Sequence, residues 1–342
     1  MAAAGPLVVG FGDRRIDRSG RWWFGSSVQG SRESSIEQNG AMRVLRIVTL
    51  NIGSLLDAGW EERLPLIGSQ LAEVAPDVVC LQEVATSGTR ANAAQQVLDS
   101  QREHGGQLEY LGYGGLPATL PKGFFDDEPD IEMGSAVLSR WPVDVVATHP
   151  LPFDPKNAGV HMFTYELVHA RTAGLDIFST HLAAAPTDGA HRRLQVQEID
   201  RLIREARGPG DSDPWDAARQ PMPVILCGDF NAEPDSDEIR FLCGLTPLGG
   251  SDTFYQDAWR VAGDETPGYT NHWGNRLGGH LNIHRKRIDY VFVGDPFVRR
   301  DSGGRVLNAK IVVDDVVDGW PPSDHAGVLA EIVWPKALPK NE

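Results

Sequence analysis

Two packed, mostly antiparallel β-sheets with helices outside make the fold class that this sequence predicts, and three observations predict it. Short apolar runs recur along the chain, and many are close neighbours joined by turn residues. Amphipathic helical stretches are few and interleave among them. A doubly wound parallel sheet would need a long crossover between successive strands, and too many strand pairs here are adjacent for that.

The first clear strand is RVLRIVTLN (43–51), whose alternation turns continuously apolar. Leu64, Ile67, Leu71 and Val74 then recur at helical spacing. PDVVCLQEV (76–84) reads as a short buried strand, NAAQQVLDSQ as a second helix and LEYLGYG as another strand. Residues 114–133 carry three prolines and an acidic cluster, which predicts a long loop. GSAVLSR and VDVVATHP read as neighbouring strands around the turn Trp141–Pro142. VHMFTYELVHA and GLDIFSTHL make a hairpin that turns near Thr172, Ala173 and Gly174. TDGAHRRLQVQEIDRLIREA is the strongest helix, with Val196, Ile199, Ile203 and Ala206 as its buried stripe. A polar loop (207–220), the strand VILCGDFN and a short helix follow. Asp235 and Glu238 fit an N-cap and its N3 partner there, which assigns them to capping. RIDYVFVG (287–294), RVLNAKIVV (305–313) and AGVLAEIVW (326–334) complete the strands.

The 342 residues are 41% hydrophobic and 23% charged, enough to bury a sizeable core. No linker cuts the chain after Met42, so residues 42–336 read as one catalytic domain, with 337–342 as a C-terminal tail. Residues 1–41 read as an extension, mostly mobile, with a docking element around Trp22, Trp23 and Phe24; the competing reading makes Met42 the effective start. No signal peptide is seen at the N-terminus, so the expected location is cytoplasmic. No apolar run approaches the roughly 20 residues of a membrane-spanning helix. The net charge of −15 and the lack of a basic block weigh against a duplex nucleic-acid surface, although an acidic protein can carry a local basic patch. Cys80, Cys227 and Cys243 are odd in number and match no zinc spacing, so neither a disulfide framework nor a cysteine-based metal site is implied.

The ends of the strands share a chemistry. Asn51, Glu83, His181, and Asp229 with Asn231 close four apolar runs; Asp289 opens a fifth; Asp324 and His325 precede the last. Each has an ordinary reading as a turn or cap residue. Together they read better as one site. Carboxylate and amide oxygens suit a hard cation such as Mg²⁺ or Mn²⁺, and histidines suit hydrogen bonding and proton transfer. That set favours attack of water on a phosphoryl group.

In order, TLN, LQEV, STHL, GDFNAEP, RIDYVFV and SDHAGV resemble the motifs of the endonuclease/exonuclease/phosphatase superfamily, the group of DNase I, AP endonucleases, neutral sphingomyelinases and inositol-polyphosphate 5-phosphatases. The resemblance runs from about Arg43 to Trp334 and implies a DNase I-like four-layered α/β sandwich. It implies that Glu83 is the principal ligand of Mg²⁺ (or Mn²⁺), with Asn51 beside it and Asp324 in the metal shell. Asp229 would position or deprotonate the attacking water, and Asn231 would hold a phosphate oxygen. His325, oriented by Asp289, would stabilise the phosphoryl oxygens, and His181 would contact the phosphate or assist the leaving group. His181 in STHL, and GDFNAEP in place of GDxNYR, set the chain nearer the DNase I and neutral sphingomyelinase side than the inositol-polyphosphate 5-phosphatases.

Substrate would be set by loops. Arg140 either faces substrate or forms a structural ion pair, and both readings stay open. Asn275 sits where family members often carry a loop asparagine and is given a substrate role. Phe124 and Phe125 pack their loop or wall a pocket, and His272, His280 and His284 read as solvated loop residues. Arg192, Arg193, Arg285, Lys286 and Arg287 are candidates for a local basic patch. The leading expectation is a divalent-metal-dependent phosphohydrolase, a phosphodiesterase ahead of a monoesterase, acting on a phosphate ester of a small molecule, lipid headgroup or nucleic acid. The alternatives are a DNA or RNA nuclease and a non-hydrolytic enzyme or phosphate-binding module on the same fold.

Overall fold

Alternation along the strands decides which side chains face which layer. The computed structural model describes residues 15–16, 22–23, 43–55, 57–118, 130–154, 156, 164–208, 222–271, 277, 284–294 and 302–334. The chain divides into Met1–Met42 and Arg43–Glu342. In the first unit β1 (Arg15–Ile16) pairs antiparallel with β2 (Trp22–Trp23); Phe24 lies outside the described residues. The second unit begins with β3 (Val44–Asn51), α1 (Trp60–Val74), β4 (Val78–Thr86), α2 (Ala93–Glu103), β5 (Tyr110–Pro117), β6 (Glu132–Ser139), β7 (Val143–Pro150), β8 (Glu166–Thr172) and β9 (Leu175–His181). It continues with α3 (Gly189–Arg207), β10 (Ile225–Asp229), α4 (Asp237–Leu242), β11 (Tyr255–Asp257), α5 (Ala258–Ala262), β12 (Asp289–Gly294), β13 (Val306–Val312) and β14 (Gly327–Val333).

Two six-stranded sheets result, in the orders β11-β12-β10-β9-β8-β7 and β13-β14-β3-β4-β6-β5. Only the β9–β10 and β3–β4 pairings are parallel among their neighbours. Leu45, Ile47, Val78 and Cys80 of one sheet pack against Ile177, Ile225, Cys227 and Val291 of the other. The alternate residues face outward: Val48, Leu50, Val79 and Leu81 meet Ile67 and Leu71 of α1 and Val97 of α2. Phe178, Leu226 and Phe292 meet Val196, Ile199 and Ile203 of α3 and Ile239 of α4. This is the four-layered sandwich, and each fully buried aliphatic side chain contributes about 1.5–3 kcal/mol to it. No described helix is long and apolar enough to cross a membrane.

Several local expectations need correction. The strands flanking Trp141–Pro142 are not neighbours; β6 and β7 lie in different sheets, and buried Trp141 sits in the core at the crossing. An apolar pattern shows that a strand is buried but not which strand it pairs with. β5 and β6 extend to Pro117 and from Glu132, so the loop between them is shorter than predicted, and its residues 119–129, with Phe124 and Phe125, lie outside the described residues. On α3 Leu202 is buried and Ala206 exposed. Ser236, not Asp235, holds the N-cap position of α4, and Glu238 is buried against Arg192 at 3.1 Å rather than closing a capping box. The β8–β9 hairpin turns where predicted, with Ala173 and Gly174 both left-handed (φ 50° and 74°), the pairing that suits strand twist.

Glu166 is the one acid of β8 that faces the opposite sheet, where its Oε1 accepts a 2.9 Å hydrogen bond from Ser135 Oγ of β6. Burial pushes its carboxyl up to about 8. The folded state therefore keeps a proton that the unfolded chain releases above its ordinary range, so stability falls as pH rises between those two values. Glu166→Gln removes that penalty. Urea unfolding should show the variant about 2–4 kcal/mol more stable than the parent at pH 9, with the gain shrinking toward zero near pH 4.5.

Candidate active site

The C-terminal ends of β3, β4, β9 and β10 meet the N-terminal ends of β12 and β14 at one end of the sandwich. Period-two geometry aims most of the side chains there. Asn51 shares a face with Leu45 and Ile47, His181 with Ile177, Asp229 with Ile225 and Cys227, and Asp289 with Val291 and Val293. Glu83 does not follow this rule. It has the parity of Val79 and Leu81, which face the helices. A register shift between Leu81 and Val84 and a left-handed backbone at Glu83 (φ 55°) form a bulge that turns its carboxylate inward. In GDFN, a Cβ on Gly228 would stand 2.0 Å from the Thr180 carbonyl oxygen, so only glycine lets β10 approach β9 there.

The side chains interlock. Asn51 Nδ2 donates to Glu83 Oε1 (2.9 Å) and Asp229 Oδ2 (3.1 Å), and its Oδ1 accepts from Gly53 N (3.0 Å). Asn51 stands beside Glu83 and spaces two carboxylates through its N–H groups, while its oxygen takes the Gly53 N–H. Asn231 N donates to Asp229 Oδ1 at 2.8 Å, and its Nδ2 lies 3.0 Å from His181 Nε2 and 3.1 Å from Leu182 O. His181 Nε2 is 3.6 Å from Asp229 Oδ2 and 3.9 Å from Glu83 Oε1. Across the sheets His325 Nδ1 bonds Asp289 Oδ2 at 2.9 Å, and Nε2 lies 3.2 Å from Asn271 Nδ2, 3.8 Å from Asp229 and 4.0 Å from Asp324. Beneath them a buried polar layer joins Thr49 Oγ1 to Gln82 Oε1 (3.2 Å) and Gln82 Nε2 to Ser179 Oγ (3.1 Å).

Burial divides the acids by task. The Asp229 and Asp289 side chains are 2% and 0% exposed, whereas Glu83 and Asp324 keep 15% and 22%. The open carboxylates fit a hard cation, whose ligands are oxygens. The donor atoms of Asp229, Asp289 and His325 also lie within 4.8 Å of one another, and Asp289 Oδ1 is buried without a hydrogen-bond partner. That group could hold a metal ion, and the Asp289–His325 bond also orients an imidazole toward Asp229. Burial by itself would lower the His325 pKa, but the carboxylates of Asp289, Asp324 and Asp229 outweigh it and hold the imidazole charged well above its usual range.

Other predicted residues fall elsewhere. Arg140 follows β6 at the opposite end of the sandwich, where it donates to Asp77 Oδ1 at 2.8 Å and covers Trp141; it is a structural ion pair, not a substrate contact. Asn275, His272 and His280 lie outside the described residues. His284 is exposed and pairs with Glu233 at 2.8 Å. Arg192 and Arg287 are buried against Glu238 and Asp257, so they contribute to no surface patch. Three participants carried no motif. Asp57 lies beside Asp324, and burial together with that neighbour pushes its carboxyl up to about 7. Tyr165 meets the His181 ring edge-on at 6.1 Å. Arg63 lies beneath the loops; its signal was present, as a charged residue on the same helical stripe as Ile67 and Leu71.

Comparison with known proteins follows the same outline. The model of the Endonuclease/Exonuclease/phosphatase family matches residues 48–325. Among curated proteins, Protein angel homolog 2 of Danio rerio is 27% identical over 193 residues, covering 54% of this chain and 30% of that protein, so the chain spans about a third of that relative's length. Among solved structures, an endonuclease/exonuclease/phosphatase from Beutenbergia cavernae aligns with TM-score 0.59 at 21% identity, covering 85% of this chain and 72% of the other. Danio rerio TDP2 complexed with a single-strand DNA product aligns with TM-score 0.54 at 19% identity, covering 84% and 98%.

Histidine titration tests the electrostatics directly. Followed by NMR in the metal-free protein, His325 should titrate well above pH 6.5, and in Asp289→Asn its midpoint should drop by at least about one unit. The stability contributed by the His325 charge is present below its unfolded pKa of about 6.5 and is lost as pH rises through its folded pKa, while protonation of Asp289, whose carboxyl burial pushes up, removes the pair at acid pH.

Proposed function

Because the chain belongs to the Endonuclease/Exonuclease/phosphatase family, we propose that it is a divalent-metal-dependent phosphoric ester hydrolase, and a phosphodiesterase ahead of a monoesterase. One observation carries this reading: the Asp289–His325 pair reaches across the two sheets and sets its other ring nitrogen, 3.2 Å from Asn271 Nδ2, on the side of buried Asp229, with the open carboxylates of Glu83 and Asp324 beside it. Glu83 and Asp324, with Asn51 as spacer, would hold Mg²⁺ or Mn²⁺; when bound, such an ion neutralises charge on the phosphoryl oxygens.

The remaining roles belong to this chain's own groups. Asp229 is held from both sides by Asn51 and Asn231, so its carboxylate is pre-set to accept a proton from a water attacking phosphorus. Asn231 sits with φ 49° just past the strand, which brings its amide to His181 and toward a phosphate oxygen. His325, kept protonated by Asp289, donates a charge-assisted hydrogen bond to the phosphoryl oxygens as negative charge builds. His181 stands close enough to the same acids to contact the phosphate or supply a proton to the leaving oxygen. A non-hydrolytic binding module would have no use for a buried His–Asp pair beside a second buried carboxylate.

Hydrolysis of bis(p-nitrophenyl) phosphate and p-nitrophenyl phosphate, with Mg²⁺, Mn²⁺ or EDTA, tests this. The diester should turn over faster than the monoester, EDTA should abolish turnover, and His325→Ala should lower kcat by about 10²–10⁴-fold. Glu83→Ala should raise the metal concentration needed for half-maximal rate. Cleavage of oligonucleotides with little action on either aryl ester would move the reading to a nuclease; binding of phosphate esters without turnover would move it to a binding module.

A further inference from the structure

The geometry points to Arg63 as a positioning residue of this site: its guanidinium ties the loop that follows Asn51 to the segment that leads into Asp324 and His325. The inference rests on the function proposed above for the site's activity, but its structural part stands alone. Arg63 lies in the first turn of α1 and is fully buried. Five hydrogen bonds leave it, all to backbone carbonyls. Nε donates to Ala58 O (3.0 Å), Nη1 to Ile52 O (2.8 Å) and Pro322 O (3.0 Å), and Nη2 to Gly53 O (2.8 Å) and Asp57 O (3.4 Å). A guanidinium has five N–H donors in a fixed fork, and here all five are used. Burying a cation against neutral carbonyls alone is costly. The acidic charges of Asp57, Asp324 and Glu83 nearby favour its charged form.

The two tied segments are the ones that aim the site. Gly53, held by Arg63, donates its N–H to Asn51 Oδ1, and Asn51 in turn spaces Glu83 from Asp229. Pro322, held by the same guanidinium, precedes Ser323, whose Oγ donates to Asn51 O (2.7 Å) and accepts from His325 N (3.2 Å). Arg63 therefore acts on the carboxylate side and on the histidine side at once without touching either reacting group. Lysine cannot replace it, because one ammonium cannot reach carbonyls spread around a planar fork.

The test compares Arg63→Lys and Arg63→Met with Gln101→Ala. Gln101 is equally buried and bonds two carbonyls in and after α2 (Leu98 O, 3.0 Å; Leu108 O, 2.8 Å), so its loss weakens the fold without touching the site. Three readouts are needed: Tm, kcat and KM on bis(p-nitrophenyl) phosphate, and the His325 Nδ1–H NMR signal of metal-free protein, assigned by its absence in His325→Gln. Both Arg63 variants should lower kcat about 30-fold or more with KM within about threefold, and should shift or broaden the His325 signal. Gln101→Ala should lower Tm while leaving kcat and the signal unchanged. Arg63→Lys with kcat within about twofold of the parent and an unmoved His325 signal overturns the inference, as does a loss of kcat in Gln101→Ala that matches its loss of Tm. A parent protein that hydrolyses no ester refutes the proposed function instead; the His325 signal then decides alone, a shift supporting the role of Arg63 and no shift overturning it. Should neither Arg63 variant fold, Ser323→Ala cuts the next contact in the same chain, and an unmoved His325 signal there overturns the inference.

Discussion

A site divided between two sheets works only if the sheets are held at a fixed separation. Apolar packing alone does not fix it at the level a proton transfer needs, because facing aliphatic layers can slide by fractions of an ångström with little penalty. Here directional bonds cross the gap where the chemistry would occur: Asn51 to Asp229, His325 to Asp289 and, just below, Gln82 to Ser179. The carboxylates these bonds bring together would repel one another. Amide N–H groups between them, a charged imidazole and a buried guanidinium make the crowding tolerable. The same acids that a cation would use are thus kept apart and aimed before any ion arrives, the pre-organisation that gives electrostatic catalysis its strength.

Two arginines serve the two sheets in parallel ways. Arg63 in the first turn of α1 collects carbonyls of the loop after β3, and Arg192 at the start of α3 bonds Ala183 O and Ala185 O (2.8 Å each) in the loop after β9. In both cases a helix follows a site-bearing strand, and its first buried arginine gathers the backbone of the connection. Loops this close to a site would otherwise be its most mobile part. Their carbonyls satisfy a buried cation, and the cation orders them.

Much of this could be read from the sequence. The strands, the two-sheet class and the six strand ends that carry the polar set follow from apolar runs bounded by Asn, Asp, Glu or His, because period two leaves little freedom once one face is buried; only the bulge at Glu83 departs from it. Pairing was less legible: GSAVLSR and VDVVATHP are adjacent in sequence yet enter different sheets, and only the tertiary packing of Trp141 decides that. Arg140 stays open between its two readings in the sequence because a charged residue after a buried strand says nothing about which end of the sandwich it occupies. Arg63 is not legible as a site residue because a lone charge on a helical stripe announces no partners, and its five carbonyls come from residues 52–58 and from Pro322, far away in sequence. Asp57 had no motif at all; its environment is created by Asp324, 267 positions away by the numbering.

The bulge at Glu83 has a further consequence for the history such a chain can have. The extra residue between Leu81 and Val84 lets Gln82 and Glu83 both turn toward the opposite sheet, where uninterrupted pleating would seat only one of them. Loss of the Glu83 codon would restore uninterrupted pleating, leave both apolar faces of β4 intact and remove the acid, whereas loss of the Gln82 codon would leave the acid inward in its place. Gene copies freed from selection for turnover could in that way keep the sandwich as a scaffold and discard its chemistry in one step, while point substitutions at the other strand ends would erode it gradually.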